Sequence, residues 1–293
     1  MTVDDGFDDL RVETIRTSVG PVPVRRRDGD GNVVVCVHPA LFDGRFWQPM
    51  VAELPPDVPV LVPDLPLGAQ RRPVPADVSP TLEAVAAALV EIASASTSAP
   101  LVLVGNGTGG AIAQIAAGAH PDRVRGLVLA PCEVFEHLPP RGSRLLQSLC
   151  RYPAGARLVA RLMTFGPVLA NPSPHNDLTR RGVPRELVAD WLAPPIRDRR
   201  IARDLATTLA SQRPELTLAA ADAVRDADIA VGVLWTRRGG PFRAEDGARF
   251  AAHVGAGRLE WVDTAGALVA WDEPAAMAAM VQAVRADASR RPS

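Results

Sequence analysis

Apolar positions along this chain follow two rhythms. Continuous apolar runs recur: "NVVVCVH" (Asn32 to His38), "VPVLVPD" (Val58 to Asp64), "RGLVLAP" (Arg125 to Pro131), "DIAVGVLW" (Asp228 to Trp235) and "RLEWVDT" (Arg258 to Thr264). Runs of this kind predict strands buried on both faces of a parallel sheet. Between them the spacing changes to three and four. In "SPTLEAVAAALVEIASAS" the stripe Leu82, Val85, Ala86, Leu89 and Ala93 predicts a helix, with Ser79 as cap, Pro80 in the first turn and Glu83 at the positive end. "EPAAMAAMVQAVRADA" predicts a closing helix, and "RVETIRTSVGPVPVRRR" two short strands joined at Gly20-Pro21. "LVLVGNGTGGAIAQIAAGAH" (Leu101 to His120) reads as a strand, a tight turn and a buried helix.

From about Cys132 to Ala227 the alternation stops. That stretch is rich in Arg, Leu and Pro and predicts several short helices. Strands alternating with helices predict an α/β fold with a mostly parallel sheet covered on both faces. The interruption predicts a helical cap inserted over residues 132–227, leaving 1–131 and 228–293 as the core. Ligands in such sheets sit at the carboxyl ends of the strands. The chemistry is therefore expected after Val37, Val104, Leu129, Leu234 and Val262.

Composition narrows the function. The 293 residues are 47% apolar, enough for a large core, and the net charge of −1 gives no sign of a nucleic-acid or anionic membrane partner. All 32 basic residues are arginine, which excludes Schiff-base chemistry on lysine and a P-loop. The three cysteines, Cys36, Cys132 and Cys150, form no C-x-x-C pair, and Cys36 reads as a small core residue. The acidic start "MTVDDGFDDL" is unlike a secretory leader, and no apolar run approaches the roughly 18 residues of a membrane span, so a cytoplasmic protein is expected. "GNGTGG" has the wrong spacing for a dinucleotide loop. No metal or cofactor is expected.

Three stretches together carry a resemblance. "VCVHPALFDGRFWQPMVAEL", "VLVPDLPLG" and "GNGTGGAIAQIAAGAHPDRVRGLVL" are similar to the H-G loop, the P-D-x-P-G turn and the nucleophile elbow of the α/β-hydrolase superfamily. The resemblance runs from about residue 12 to 285. It is nearest to the capped branch of haloalkane dehalogenases and epoxide hydrolases. It implies an α/β-hydrolase fold with a helical cap, and a nucleophile, an acid and a His base at fixed positions. In this sequence those positions read Gly107, Gly239 and Ala267, with Pro131 at the alternative acid position. Glycine is expected to relieve the strain that an elbow side chain stores. Two backbone donors of the implied oxyanion hole, Ala40 and Thr108, remain.

The resemblance thus implies a hydrolase-like protein without a triad. The first expectation is a cofactor-independent cyclase, isomerase or lyase acting on a hydrophobic small molecule. The alternatives are a ligand-binding protein in which Gly107 makes room, or a residual hydrolase using Asp43, His38 and a water. Candidate pocket residues are His38, Asp43, Asn106, Pro131, Glu133, His137 and Trp191. Each has a plainer reading. His38 suits a ring bonded beneath its loop, Asp43 a cap for the turn after it, and Asn106 a brace for the elbow. Glu133 and Glu136 suit a solvated cap junction, His137 an exposed loop, and Trp191 core packing. His175 falls in a cap loop and carries no signal. The sequence does not give the oligomeric state.

Overall fold

The computed structural model describes residues 7, 9–140, 148–165 and 177–291. Eight strands form one sheet in the order β1-β2-β4-β3-β5-β6-β7-β8. They are β1 (Arg11–Thr17), β2 (Gly20–Arg27), β3 (Val33–Val37), β4 (Val60–Pro63), β5 (Leu101–Gly105), β6 (Val124–Leu129), β7 (Ala230–Trp235) and β8 (Arg258–Trp261). β1 and β2 pair antiparallel, as does β2 with β4; all other pairs are parallel. The apolar runs became β3 to β7, whose residues are almost all buried. β8, at the edge, is half exposed.

The helices are α1 (Gln48–Ala52), α2 (Leu82–Ser96), α3 (Thr108–Ala119), α4 (Pro153–Phe165), α5 (Arg185–Arg197), α6 (Arg199–Ala210), α7 (Pro214–Asp226), α8 (Ala244–Val254), α9 (Val269–Asp272) and α10 (Pro274–Ser289). α10 packs on β5, β6 and β7, while α3 and α8 cover the other face, so two apolar clusters sandwich the sheet. α4, α5 and α6 pack on one another as the inserted helices. α7, which the sequence places within the insertion 132–227, packs on α3 and α8 in the layer over the sheet.

α2 corrects one expectation. Its cap is Thr81, whose hydroxyl accepts from Ala84 N at 3.2 Å, rather than Ser79. The physical reason is where the helical hydrogen bonds begin: Val85 N donates to the Thr81 carbonyl at 2.9 Å, which makes Thr81 the boundary residue. Pro80 is also held outside the helix by Thr208 of α6, which donates to its carbonyl at 2.6 Å.

The register aligns the carboxyl ends of the central strands, pairing Val37 with Gly105 and Gly105 with Leu129. The loops at 38–43, 106–108 and 130–133 therefore meet. α3 then lies almost on the backbone beneath it. A Cβ on Gly109 would stand 2.0 Å from the Val37 carbonyl oxygen, and one on Gly105 2.6 Å from Gly110 Cα. Backbone cannot yield as a flexible side chain can. Gly109→Ala is expected to lose more than about 3 kcal/mol of stability, beyond usual overpacking. Gly257→Ala, whose Cβ would meet nothing nearer than 3.9 Å, should stay within about 0.5 kcal/mol of the parent. Denaturant melts of the two variants check this, and equal midpoints would refute the close-approach argument.

Candidate functional site

The strand-to-helix turn holds Gly107 at φ 54° and ψ −137°, in the left-handed half of the map. The unusual backbone of an elbow is thus retained, and glycine occupies it without the Cβ penalty. A Cβ at this position would lie 3.2 Å from Pro39 Cβ. Pro39 therefore crowds the space that a side chain on residue 107 would enter. In the ligand-binding alternative, where Gly107 makes room, Pro39 bounds that room on one side. Gly107 N donates to the Pro131 carbonyl at 2.9 Å.

Asn106 is the brace of the site. Its side-chain amide donates to the Pro131 carbonyl at 2.8 Å and to the Ala267 carbonyl at 3.0 Å. One buried amide thus ties the elbow to the loops after β6 and after β8. Ala267 is fully buried, and its N–H donates to the Asp177 carbonyl at 2.9 Å. The loop is pinned further by Asp272. That carboxylate accepts from Gly266 N at 2.8 Å, Arg180 N at 2.8 Å and the Thr179 hydroxyl at 2.7 Å. Gly239 lies in a tight turn after β7, where a Cβ would stand 2.6 Å from the Phe242 carbonyl oxygen.

His38 has no face left for chemistry. Its Nδ1 donates to the Pro39 carbonyl at 2.9 Å, and its Nε2 accepts from Leu65 N at 3.0 Å. Burial pushes its pKa below the ordinary value, and these two partners fix one neutral tautomer. Asp43 is equally occupied. It caps the turn Gly44–Trp47 through Arg45 N at 3.0 Å and accepts from the Trp191 indole at 2.8 Å and the Arg45 guanidinium at 2.6 Å. Burial alone would push this carboxyl up; Arg45 and Trp191 outweigh it and hold it below the usual range. Arg45 also reaches Asp190 of α5 at 2.6 Å. Trp191 packs 4.7 Å from Phe42 in the same joint. These contacts remove His38, Asp43 and Trp191 from the candidate pocket and make them structural.

Two expected surface groups are buried instead. His137 donates from Nδ1 to Asp246 of α8 at 2.8 Å, and its Nε2 has no hydrogen-bond partner. Asp246 was not legible as its partner, because an acid in the first turn of a helix needs no other explanation. Glu133 is 3% exposed rather than solvated. The Thr108 hydroxyl donates to its Oε1 at 3.4 Å, while Oε2 is buried without a partner. Glu136, by contrast, is half exposed and paired with Arg249 at 2.7 Å. His175 lies outside the described residues.

The backbone donors are open. Among the described residues, neither Ala40 N nor Thr108 N meets an acceptor. Thr108 opens α3, so its N–H also carries the positive end of a helix. Its side chain leads directly to Glu133, whose pKa burial pushes up to about 7. No group of three or more His, Cys, Asp or Glu side chains suited to a metal occurs among the described residues, and none of the described helices is long and apolar enough to cross a membrane.

The raised Glu133 pKa has a stability signature. Between pH 4.5 and about 7 the folded protein holds a proton that the unfolded chain has released, so this group's contribution to stability falls as pH rises through that window. Relative to Glu133→Gln, the parent should lose about 3 kcal/mol across it. Urea melts of both proteins from pH 4.5 to 8 check this; a constant difference would mean that the carboxyl is solvated or charge-paired.

No curated protein matches the sequence. Among solved structures, a haloalkane dehalogenase from Bradyrhizobium elkani USDA94 superposes with TM-score 0.78 at 18% identity, covering 96% of this chain and 99% of that one. A thermophilic esterase from Thermogutta terrifontis superposes with TM-score 0.71 at 20% identity, covering 95% and 99%. At such identities the likeness speaks for the fold. Residues 34–280 match the model of the alpha/beta hydrolase family, and with the sheet order found here the chain belongs to that family.

Proposed function

We propose that this protein is a member of the capped dehalogenase-like branch that has lost the nucleophile–acid–base triad. In this reading it works without a cofactor as a non-hydrolytic enzyme, of the cyclase, isomerase or lyase kind, on a hydrophobic small molecule. The observation that carries the reading is the elbow. Its backbone is kept at φ 54°, glycine stands at the nucleophile position with Pro39 beside it, and two N–H donors above it have no acceptor. Such donors stabilise oxygen charge developing on a carbonyl, and they act without a covalent intermediate. Positioning and exclusion of water would supply the remainder of the rate.

The other two triad positions support the same reading. Ala267 is buried and pinned from both its amide and its carbonyl, and a side chain on Gly239 would strike backbone. The residual-hydrolase alternative loses its base, since both nitrogens of His38 are engaged. A ligand-binding protein without turnover is the second reading. It is favoured by the dense bracing of the 265–268 loop, which suits a fixed receptor as well as an enzyme.

Thr108→Pro separates the two. Thr108 is the first residue of α3 and its N–H has no acceptor, so proline suits the position; it deletes that N–H together with the hydroxyl that touches Glu133, and Thr108→Val, which loses the hydroxyl alone, is the control. Mass spectrometry and chromatography of a small-molecule extract incubated with each protein are the readout. A compound altered by the parent and at least about 100-fold more slowly by Thr108→Pro is expected. Equal turnover by the folded variant would overturn the oxyanion reading, and binding without alteration would favour the receptor. Gly107→Ser should not create esterase activity, because Ala267 supplies no base. It should also lose about 1–2 kcal/mol from the positive φ. Rapid p-nitrophenyl ester hydrolysis by this variant would show that a base lies elsewhere.

A further inference from the structure

Among the described residues, the buried carboxylates fall into two kinds, and Asp246, met by the His137 ring at 2.8 Å, belongs with the bonded ones. Asp43 is filled by Arg45 and the Trp191 indole. Asp204 of α6 accepts from Val74 N at 2.8 Å, from Gln70 at 3.3 Å and from Arg203 at 2.8 Å. Asp272 accepts from three backbone N–H groups and the Thr179 hydroxyl. Each of these joins segments that would otherwise separate, and each is fully bonded. Glu133 is the exception. Its carboxyl is met only by its own backbone amide and by a long contact, 3.4 Å, from the Thr108 hydroxyl, and one oxygen has no partner. Its backbone does the structural work instead, accepting from Gln114 at 2.8 Å. A buried charge without partners costs several kcal/mol, so an acid kept in this condition weakens the fold unless it serves another purpose.

Its place supplies the purpose. Glu133 follows β6 at the carboxyl end of the sheet, and Thr108 carries both the hydroxyl that touches it and one of the two open backbone donors. The residue whose N–H is open is thus the residue whose hydroxyl touches the Glu133 carboxyl. The neighbouring polar groups are Thr108 and Gln114 from α3, Cys132 on its own loop, and the His137–Asp246 pair. The influences on the Glu133 carboxyl are burial, its own backbone amide and the Thr108 hydroxyl, with no arginine among them.

We propose that Glu133 is the proton-transfer residue of this site, and that its substrates are enolisable ketones whose carbonyl oxygen is held by Ala40 N and Thr108 N. This rests on the oxyanion reading above. Ionised Glu133 takes a proton from the carbon beside the carbonyl. The C–H pair becomes the C=C bond, and the carbonyl π pair moves onto the oxygen between the two donors. Where the ketone carries a β,γ double bond, the enolate is a dienolate, and return of the proton to its γ-carbon gives the conjugated isomer. Departure of a β-substituent with its bonding pair, protonated by the Glu133 acid, completes an elimination. Neither route needs an oxidant or a covalent enzyme intermediate. A carboxyl titrating near neutral pH is populated in both the accepting and donating forms there.

The test is loss of α-deuterium to water from deuterated cyclohexanone, acetophenone and 4-phenylbutan-2-one, followed by NMR from pH 5 to 8. The parent should exchange at least one of them at least about 100-fold faster than Glu133→Gln, a contribution typical of a positioned acid or base. Its rate should rise with pH to a plateau above about 7, and Glu133→Gln should show no such step. Glu133→Asp should restore part of the rate, and circular dichroism establishes that each variant is folded. A purely structural carboxyl would leave the pH profile unmoved. Full exchange by Glu133→Gln with loss in Thr108→Pro would overturn the Glu133 assignment while sparing the oxyanion reading. Loss in Glu133→Gln with full exchange by Thr108→Pro would sustain Glu133 as the proton-transfer group and overturn the oxyanion reading. No exchange of any of the three ketones by the parent would overturn the proposal.

Discussion

The first turn of helix α3 is set down on the ends of the strands with only glycine at the contact, and the geometry of the site follows from it. Gly109 faces the Val37 carbonyl, Gly105 faces Gly110, and a Cβ on Gly110 would stand 2.4 Å from Cys132 Cβ. Only glycine permits this approach, and the approach sets the first N–H of α3 beside the ends of β3, β5 and β6. Any side chain at these positions would lift the helix and carry Thr108 with it. The glycines at 105, 109 and 110 are thus a structural requirement, and Gly107 is another, because it holds φ 54°. Its neighbours would tolerate a side chain only with movement of Pro39.

Around that contact the protein uses polar groups as joints. Asn106 spans two loops from the elbow. Asp43 and Asp204 bind core loops to α5 and α6, and Asp272 binds the 177–182 segment to the loop after β8. Breaking one partner of such a joint strands a buried charge or dipole, which costs more than the joint contributes when made. The consequence is a site whose walls are held in register from several segments at once. Preorganised donors are effective for the same reason, since they need no rearrangement when charge develops.

Glu133 stands apart from these joints. Arg45 and the Trp191 indole hold the Asp43 carboxyl below its usual range, and Asp204 and Asp272 are met by arginine, amide, hydroxyl and backbone N–H donors. Glu133 meets a hydroxyl and little else, and burial raises its pKa to about 7. Asp43 and Glu133 are shifted in opposite directions within one core, because neighbours rather than residue type set a buried carboxyl's proton affinity.

The sequence by itself determined the sheet, the inserted helices and the elbow. Long apolar runs are legible because buried parallel strands need them on both faces, and "GNGTGG" is legible because a helix resting on backbone needs glycine at fixed spacing. It also determined that residues 107, 239 and 267 carry no reactive side chain. Only the tertiary structure decided the state of the polar groups. His38 and Asp43, in the loop after β3, are spent on Leu65, Arg45 and Trp191, while Glu133, which reads as a solvated junction residue, is buried with a free oxygen. The physical reason is that a strand's apolar period is local, whereas a polar atom's partners come from residues as far away as Asp246 is from His137. Burial and pairing are properties of the assembled loops, and they decide which carboxyl can hold a proton.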